Sequence, residues 1–333
     1  MTAELLHRAR RGDRDAFAAL VEPYRGELHL LCYRMLGSLQ DAEDTLQEVL
    51  LAAWLGLEGF EGRSTLRTWL HRIATNRCLN ALRASGRRLT APGTPLPEPV
   101  PAPSRHGEVL WLQPYPDVML DDIQDHAAGP EAVYEAREAI SLAFLTAVQL
   151  LPPNQRAVLL LRDVLGYRAA EVADLLDLTE SAVTSALKRA RATLEAARSP
   201  QRPAPVSGSA QERELMDRFV AAFTSQDVDA LIALMTDDVW VRMPPLSVEY
   251  QGRADVRRFL AAITTLRRSI IRTVATRANG QPAWAEYAQD PVTGAFHCIG
   301  ILVARFDGDR VSELTHFETV VLPYFGLPRT LPA

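Results

Sequence analysis

The sequence predicts a multidomain chain of 333 residues: two all-α modules, the second a helix-turn-helix, followed by an α+β domain whose antiparallel sheet is curved. Three observations predict it. Apolar residues recur at helical spacing in 8–88 and again in 131–198, and the stretch between them carries six prolines from Pro92 to Pro103. Two short helical segments joined by Asp177-Leu178-Thr179 close the second block. Beyond a second linker at 199–210, SPQRPAPVSGSA, helical spacing gives way to alternating strands.

Composition bounds the function. The net charge is −5, so contact with a polyanion must come from local patches. Lys188 is the sole lysine; every other basic side chain is arginine, which suits bidentate phosphate contacts and also fits codon bias. Cys32, Cys78 and Cys298 have no paired spacing, so no disulfide framework, zinc site or other metal site is expected. The first residues lack an apolar signal region and no run approaches the ~18 apolar residues of a membrane span. The expectation is a soluble, cytoplasmic protein with no membrane partner.

Phe17, Leu20, Val21, Tyr24, Leu28, Leu31 and Met35 predict a helix, with Pro23 marking a bend or a helix start. Gly37-Ser38 ends it. Ser38 or Asp41 can cap the next helix, whose first turns carry Asp41, Glu43 and Asp44 at the positive end of the dipole. Leu46, Val49, Leu50, Ala53 and Trp54 face inward there; Asp44, Gln47, Glu48 and Leu51 are left outward.

The stretch from Phe60 to Arg88 is the most telling. Trp69, Arg72, Asn76, Asn80, Arg83 and Arg87 fall at spacings of three and four, a stripe of one aromatic, two amides and guanidinium groups. Leu66, Leu70, Ile73, Ala74, Cys78 and Ala81 line the other face, with Arg77 snorkelling out of it. No carboxylate lies between Arg63 and Arg88 to neutralise the seven arginines, Arg63 and Arg67 among them. Guanidinium groups for phosphates, amides for base edges and an aromatic for stacking fit single-stranded or opened nucleic acid.

Residues 89–130 form a linker that is first proline-rich and then acidic-aromatic, with Trp111, Leu112 and Tyr115 beside Asp117, Asp121 and Asp122. Its aromatics can dock on a neighbouring domain and its acidic charge can mimic a nucleic-acid path, and the two readings can coexist. In 131–198, Pro152-Pro153 ends one helix, NQRAVLLLRDVLGY makes the next, Arg168 or Ala169 to Leu176 a third and Glu180 to Ala197 a basic fourth. Residues 211–322 begin with two helices and continue with a strand at VWVRM, a helix from Arg253 to Leu266 and strands at 270–276, 283–289, 295–306 and 311–321, the last pair joined at Asp307-Gly308-Asp309. A tail, 323–333, follows.

DAEDTLQEVLLAAW followed by FEGRSTLRTWLHRIATNRCLNALR resembles regions 2.1 to 2.4 of the sigma-70 family, in its extracytoplasmic-function (ECF) group. LPPNQRAVLLLRDVLGYRAAEVADLLDLTESAVTSALKRARATL resembles sigma region 4. The C-terminal element order and FDGDRVSEL resemble the SnoaL-like, NTF2-like cone. The resemblance implies an ECF sigma factor, in which 8–88 is region 2 and 131–198 is region 4. Asp41, Glu43, Asp44, Gln47 and Glu48 would then meet the β′ clamp helices of core RNA polymerase, and region 4 its β flap. Trp69, Arg72, Asn76 and Asn80 would take melted −10 bases, with Arg63, Arg67, Arg83 and Arg87 on phosphates.

By the same likeness, Thr184, Ser185, Lys188, Arg189 and Arg191 would read the −35 major groove of promoter DNA. Many ECF factors are basic where this chain has Thr184 and Ala186, so base preference does not transfer. The cone would modulate activity in cis. Its pocket candidates are Trp240, Met243, Phe259, Trp284, Tyr287, His297 and Phe317, for a small-molecule ligand; no cofactor is expected. The alternative is a DNA-binding regulator fused to a small-molecule-binding or isomerase-type cone, the latter using Asp238, His297 and His316, although no nucleophile–base pair at a defined spacing supports an enzyme.

Overall fold

The computed structural model describes residues 2–85, 100–106, 112–120, 139–197, 202–267 and 269–333. Arg87 and Trp111 lie outside them. The chain forms two compact units, Met1–Leu89 with Met119–Arg198, and Thr90–Val118 with Ser199–Ala333. The 89–130 segment therefore belongs partly with the C-terminal unit.

In the first unit, α1 (Thr2–Arg10) leads to α2 (Arg14–Leu36), which Asp13 caps by accepting from the Ala16 amide and Gly37 ends at φ 78°. Pro23 sits inside α2 and starts no new helix. Ser38, rather than Asp41, caps α3 (Leu39–Gly56), accepting from the Asp41 amide at 3.1 Å. Thr65 caps α4 (Leu66–Ser85) through the Thr68 amide. α4 buries Leu70, Ala74 and Cys78 as its periodicity requires, together with His71 and Thr75.

The same unit continues with α5 (Leu142–Gln149), capped by Ser141, and α6 (Pro153–Leu159), which widens into a π-helical segment at Leu160–Val164. Then come α7 (Ala169–Leu176) and α8 (Glu180–Ala197). Asp177 ends α7 in the left-handed region at φ 53°, and Thr179 accepts from the Ala182 amide to start α8. Val148, Val158, Leu161, Val172, Val183 and Leu187 close the core of this helix-turn-helix.

The second unit packs α9 (Ala210–Thr224), α10 (Val228–Ala233) and α11 (Arg253–Arg267) on one face of a sheet. Its strands are β1 (Arg105–His106), β2 (Met235–Arg242), β3 (Val248–Gln251), β4 (Ile271–Ala278), β5 (Gln281–Gln289), β6 (Phe296–Asp307), β7 (Arg310–Phe317) and β8 (Thr330–Leu331). They run in the order β1-β3-β2-β7-β6-β5-β4, with β8 on β6. All pairs are antiparallel except β2 with β7. Bulges at Glu286/Tyr287 and Arg305/Phe306 bend the long strands.

Two expectations are corrected here. The last predicted strand, 311–321, stops at Phe317 and becomes a 3₁₀ turn, Thr319–Phe325, around Pro323. β1, β3 and β8 add to the predicted strands; β1 and β8 are two residues each, too short to show alternation.

β1 comes from the linker. Ser104 donates its amide to the Glu249 carbonyl at 2.9 Å and accepts from the Gln251 amide, and Arg105 pairs with Glu249 at 3.0 Å. Further along, Tyr115 exchanges two hydrogen bonds with Asn279, and Asp117 accepts from the Gly280 amide and the Arg277 guanidinium. Leu112 and Tyr115 are buried. The docked reading of the linker holds for these residues.

Candidate nucleic-acid interface

On α4 the predicted stripe separates into an exposed run and one anchored member, Trp69, and Arg67, predicted to meet phosphate, is anchored beside it. Arg72, Asn76, Asn80 and Arg83 are exposed at steps of four, four and three, and Arg83 donates to the Asn80 amide oxygen at 3.0 Å. Arg63 precedes the helix, exposed and paired with Glu61. Trp69 departs from the stripe: its indole is half-buried, 5.1 Å from the Phe60 ring, within the small cluster of Ala9, Ala16, Leu20 and Leu57.

Arg67 is also anchored, donating to both oxygens of Glu27 on α2. Glu27 lies 3.5 Å from Nε2 of buried His71. Burial alone would raise the Glu27 carboxyl, but the hydrogen bonds and charges of His71 and Arg67 outweigh it and bring it down to about 2. His71 Nδ1 shares a 2.7 Å hydrogen bond with the Tyr167 hydroxyl, just before α7. Arg72 reaches Asp177, in the helix-turn-helix turn, at 3.1 Å. Glu27, His71 and Tyr167 carry no signal in the sequence, where no spacing links residues this far apart.

On α8, Thr184, Ser185, Lys188 and Arg189 are exposed on one side, opposite buried Val183, Leu187 and Ala190. Arg191 is already engaged, bidentate with Asp163 of the π-helical segment at 2.8 and 2.7 Å.

On α3, Asp44, Gln47, Glu48, Leu51 and Leu55 form one exposed acidic and apolar face, with Leu55 73% exposed. Leu55 extends the predicted set by one turn. Glu43 is turned toward buried His29, 3.5 Å away, and Asp41 is half-buried in the first turn.

The seven pocket candidates of the cone do not converge. Met243, Phe259 and Trp284 are packed in the core beneath the helices. Trp240 lies under the Arg242 guanidinium, and Tyr287 donates its hydroxyl to the Pro328 carbonyl of the tail. Phe317 is buried at the end of β7, whereas His297 is exposed, 4.0 Å from Asp290. Nor do the acid–base candidates meet: Asp238 is exposed on β2, and His316 contacts Glu286, a buried carboxylate outside the predicted set. Burial would raise Glu286, but the Arg267 charge and the His316 contact outweigh it and bring it down to about 2.

Comparison with known proteins follows the same divisions. Residues 20–88 match sigma-70 region 2, 141–194 match sigma-70 region 4, and 216–314 match the SnoaL-like domain. ECF RNA polymerase sigma factor SigG of Mycobacterium tuberculosis is 44% identical over 330 residues, 97% of this chain and 86% of that protein. The chain belongs to the ECF RNA polymerase sigma factors. It is an ECF sigma factor with a SnoaL-like C-terminal extension, and α4 and α8 are its region 2 and region 4 helices. ECF sigma factor SigM of M. tuberculosis is 32% identical over 192 residues, 58% of this chain and 82% of that protein. The crystal structure of M. tuberculosis SigJ shares the fold, with a TM-score of 0.59 and 21% identity, over 90% of this sigma factor and 96% of SigJ.

Proposed function

We propose that this ECF sigma factor docks on core RNA polymerase through the outer face of α3 and selects promoters with α4 and α8. The observation that carries the reading is the α3 face. Leu51 and Leu55 stand exposed beside Asp44, Gln47 and Glu48, and apolar anchors within an acidic rim suit a basic helical partner such as the β′ clamp helices. Region 4 would seat on the β flap.

In this reading α4 presents Arg72, Asn76, Asn80 and Arg83 to unstacked −10 bases and phosphates, with Arg63 alongside. Unstacking a base costs a few kcal/mol, offset by pocket contacts. Trp69 supports the site from the core unless it rotates out, and Arg67 reaches phosphate only by leaving Glu27. On α8, Thr184, Ser185, Lys188 and Arg189 enter the −35 major groove, where Arg191 braces the helix against Asp163.

The cone acts in cis through the linker that it holds by β1 and by the Tyr115–Asn279 and Asp117–Arg277 contacts. A ligand would shift activity only by binding one linker arrangement better than another. The test is run-off transcription from a genomic promoter library with purified core polymerase. The full chain is expected to yield specific starts, and Asp44→Arg/Glu48→Arg to abolish them while DNA contacts survive. Specific starts that persist with the charge-reversed face would refute the docking assignment.

A further inference from the structure

We infer that Thr184 selects a T·A pair in the −35 element through its methyl group, which meets the thymine methyl, and not through its hydroxyl. Such selection presupposes α8 in the −35 major groove and so rests on that reading. α8 begins at Glu180, where Thr179 accepts from the Ala182 amide, and a recognition helix meets base edges with its N-terminal residues. Ser181, Thr184, Ser185 and Lys188 lie at helical spacing on one face and are all exposed, opposite buried Val183, Leu187 and Ala190. Ser181 extends the predicted row by one turn.

The four side chains differ in what they offer an outside partner. Ser181 and Ser185 have no hydrogen-bond partner among the described residues, so each hydroxyl can donate or accept and suits more than one base. Lys188 brings a point charge that serves phosphate and base edge alike. Thr184 is already engaged. Its hydroxyl donates to the Glu180 carbonyl at 2.9 Å, one turn back in its own helix. A hydroxyl has one hydrogen, and this one is committed. Turning it to a base would exchange one hydrogen bond for another, with no net gain.

The methyl group loses nothing by meeting DNA. It is the apolar end of an exposed side chain, and contact with another apolar group takes both out of water. Among the four bases, the apolar group on the major-groove edge is the C5 methyl of thymine. The threonine oxygen keeps lone pairs that could accept from the adenine amino group of the same base pair. Methyl and hydroxyl readings therefore select the same pair by different atoms, and single-atom changes on either side tell them apart.

The experiment is run-off transcription with purified core polymerase and the full chain, from a promoter library randomised across the −35 element, the sequences recovered from the transcripts giving the base profile. Wild type is expected to favour a T·A pair at one position that Thr184→Ala relaxes. Thr184→Val keeps the methyl and the branched shape, loses the hydroxyl, and should retain the preference. Thr184→Ser keeps the hydroxyl, loses the methyl, and should lose it. All three changes are at an exposed position, so unfolding midpoints should stay near wild type.

On one selected promoter, deoxyuridine in place of that thymine removes only the C5 methyl. Transcription by wild type and by Thr184→Val should fall about three- to fivefold, the worth of one buried methyl group, while Thr184→Ser should not respond. A preference that Thr184→Ser retains and Thr184→Val loses, or a deoxyuridine template as active as the thymine one, would overturn the methyl contact. Lys188→Ala separates this contact from the placement of α8 beneath it, and is expected to lower transcription across the selected promoters. If it does so and the methyl has no effect, α8 remains the −35 helix and Thr184 reads no thymine methyl. If Lys188→Ala and every Thr184 variant leave both yield and base profile unchanged, α8 does not enter the groove and both readings fall.

Discussion

Glu286 places one carboxylate oxygen 2.9 Å from Nε2 of His316 and the other 3.0 Å from the Arg267 guanidinium, at 1% exposure. A charge this deep is tolerated because one oxygen faces the Arg267 guanidinium and the other the His316 imidazole, and Gly300 on the intervening strand has no side chain to displace that ring: a β-carbon there would stand 2.1 Å from Nε2. Truncation to Ala leaves Arg267 and His316 facing no anion and should cost about 3–5 kcal/mol in chemical denaturation of the chain.

The same carboxylate sets a pH dependence. Its folded pKa, about 2, lies below its ordinary 4.5, so its contribution is full above pH 4.5 and is lost as pH falls toward 2. The sum is about 3 kcal/mol. Denaturation at pH 7, 4.5 and 3 should show the acid loss in the wild type and a smaller one in Glu286→Gln; equal slopes would mean that Glu286 titrates normally.

The α3 face separates binding from folding. Leu51→Ala/Leu55→Ala removes exposed apolar anchors, so the unfolding midpoint should stay within about 0.5 kcal/mol of wild type. Affinity for core polymerase in a pull-down or by interferometry should fall about tenfold or more.

On α8, Lys188→Ala and Arg189→Ala should weaken duplex binding with a shallower salt dependence, by about one unit of log–log slope for each phosphate left without its cation. Arg191→Ala should act mainly on the brace to Asp163, with a small effect on stability because the pair is exposed. If Arg191→Ala reduced the salt slope as much as Lys188→Ala, the guanidinium would be a phosphate ligand after all.

The linker's hydrogen bonds predict a proteolytic signature. Asp117→Ala removes the acceptor of the Gly280 amide and one partner of Arg277. Trypsin cleavage at Arg105 should accelerate several-fold, with slower unfolding of the cone as the unaffected control. Unchanged cleavage would show that β1 alone holds the segment.

The helical modules are legible because their signals are local. Asp13, Ser38 and Thr179 cap where a polar residue precedes an apolar period, and the Asp177 turn falls where the register breaks. What escapes depends on distance in the chain. Asp163 takes Arg191 from 28 residues away and Glu27 takes Arg67 from 40, and no window holds both partners. The spacing of Trp69 puts it on the stripe; packing against Phe60 and the cluster of Ala9, Ala16, Leu20 and Leu57 draws it into the core instead. Asn279-Gly280 is a local signal outside the predicted turns, both residues at positive φ in a tight hairpin between β4 and β5. Glu286 follows the alternation of Trp284 onto the inner face, where a carboxylate is unexpected without knowing that His316 and Arg267 arrive there.

The strand that the linker lends to the cone changes what a truncation means. A chain cut near residue 199 loses the cone, and it also strands Leu112 and Tyr115 without the surface that buries them and leaves Ser104 and Arg105 with no strand to pair. A change in its transcription would mix loss of regulation with a newly sticky, protease-sensitive tether. Swapping this cone for one from another protein would face the mirror problem, an unpaired β3 edge ready to recruit a foreign strand. The heritable unit is therefore cone plus linker, and shuffling it intact is the only cut that leaves both surfaces covered.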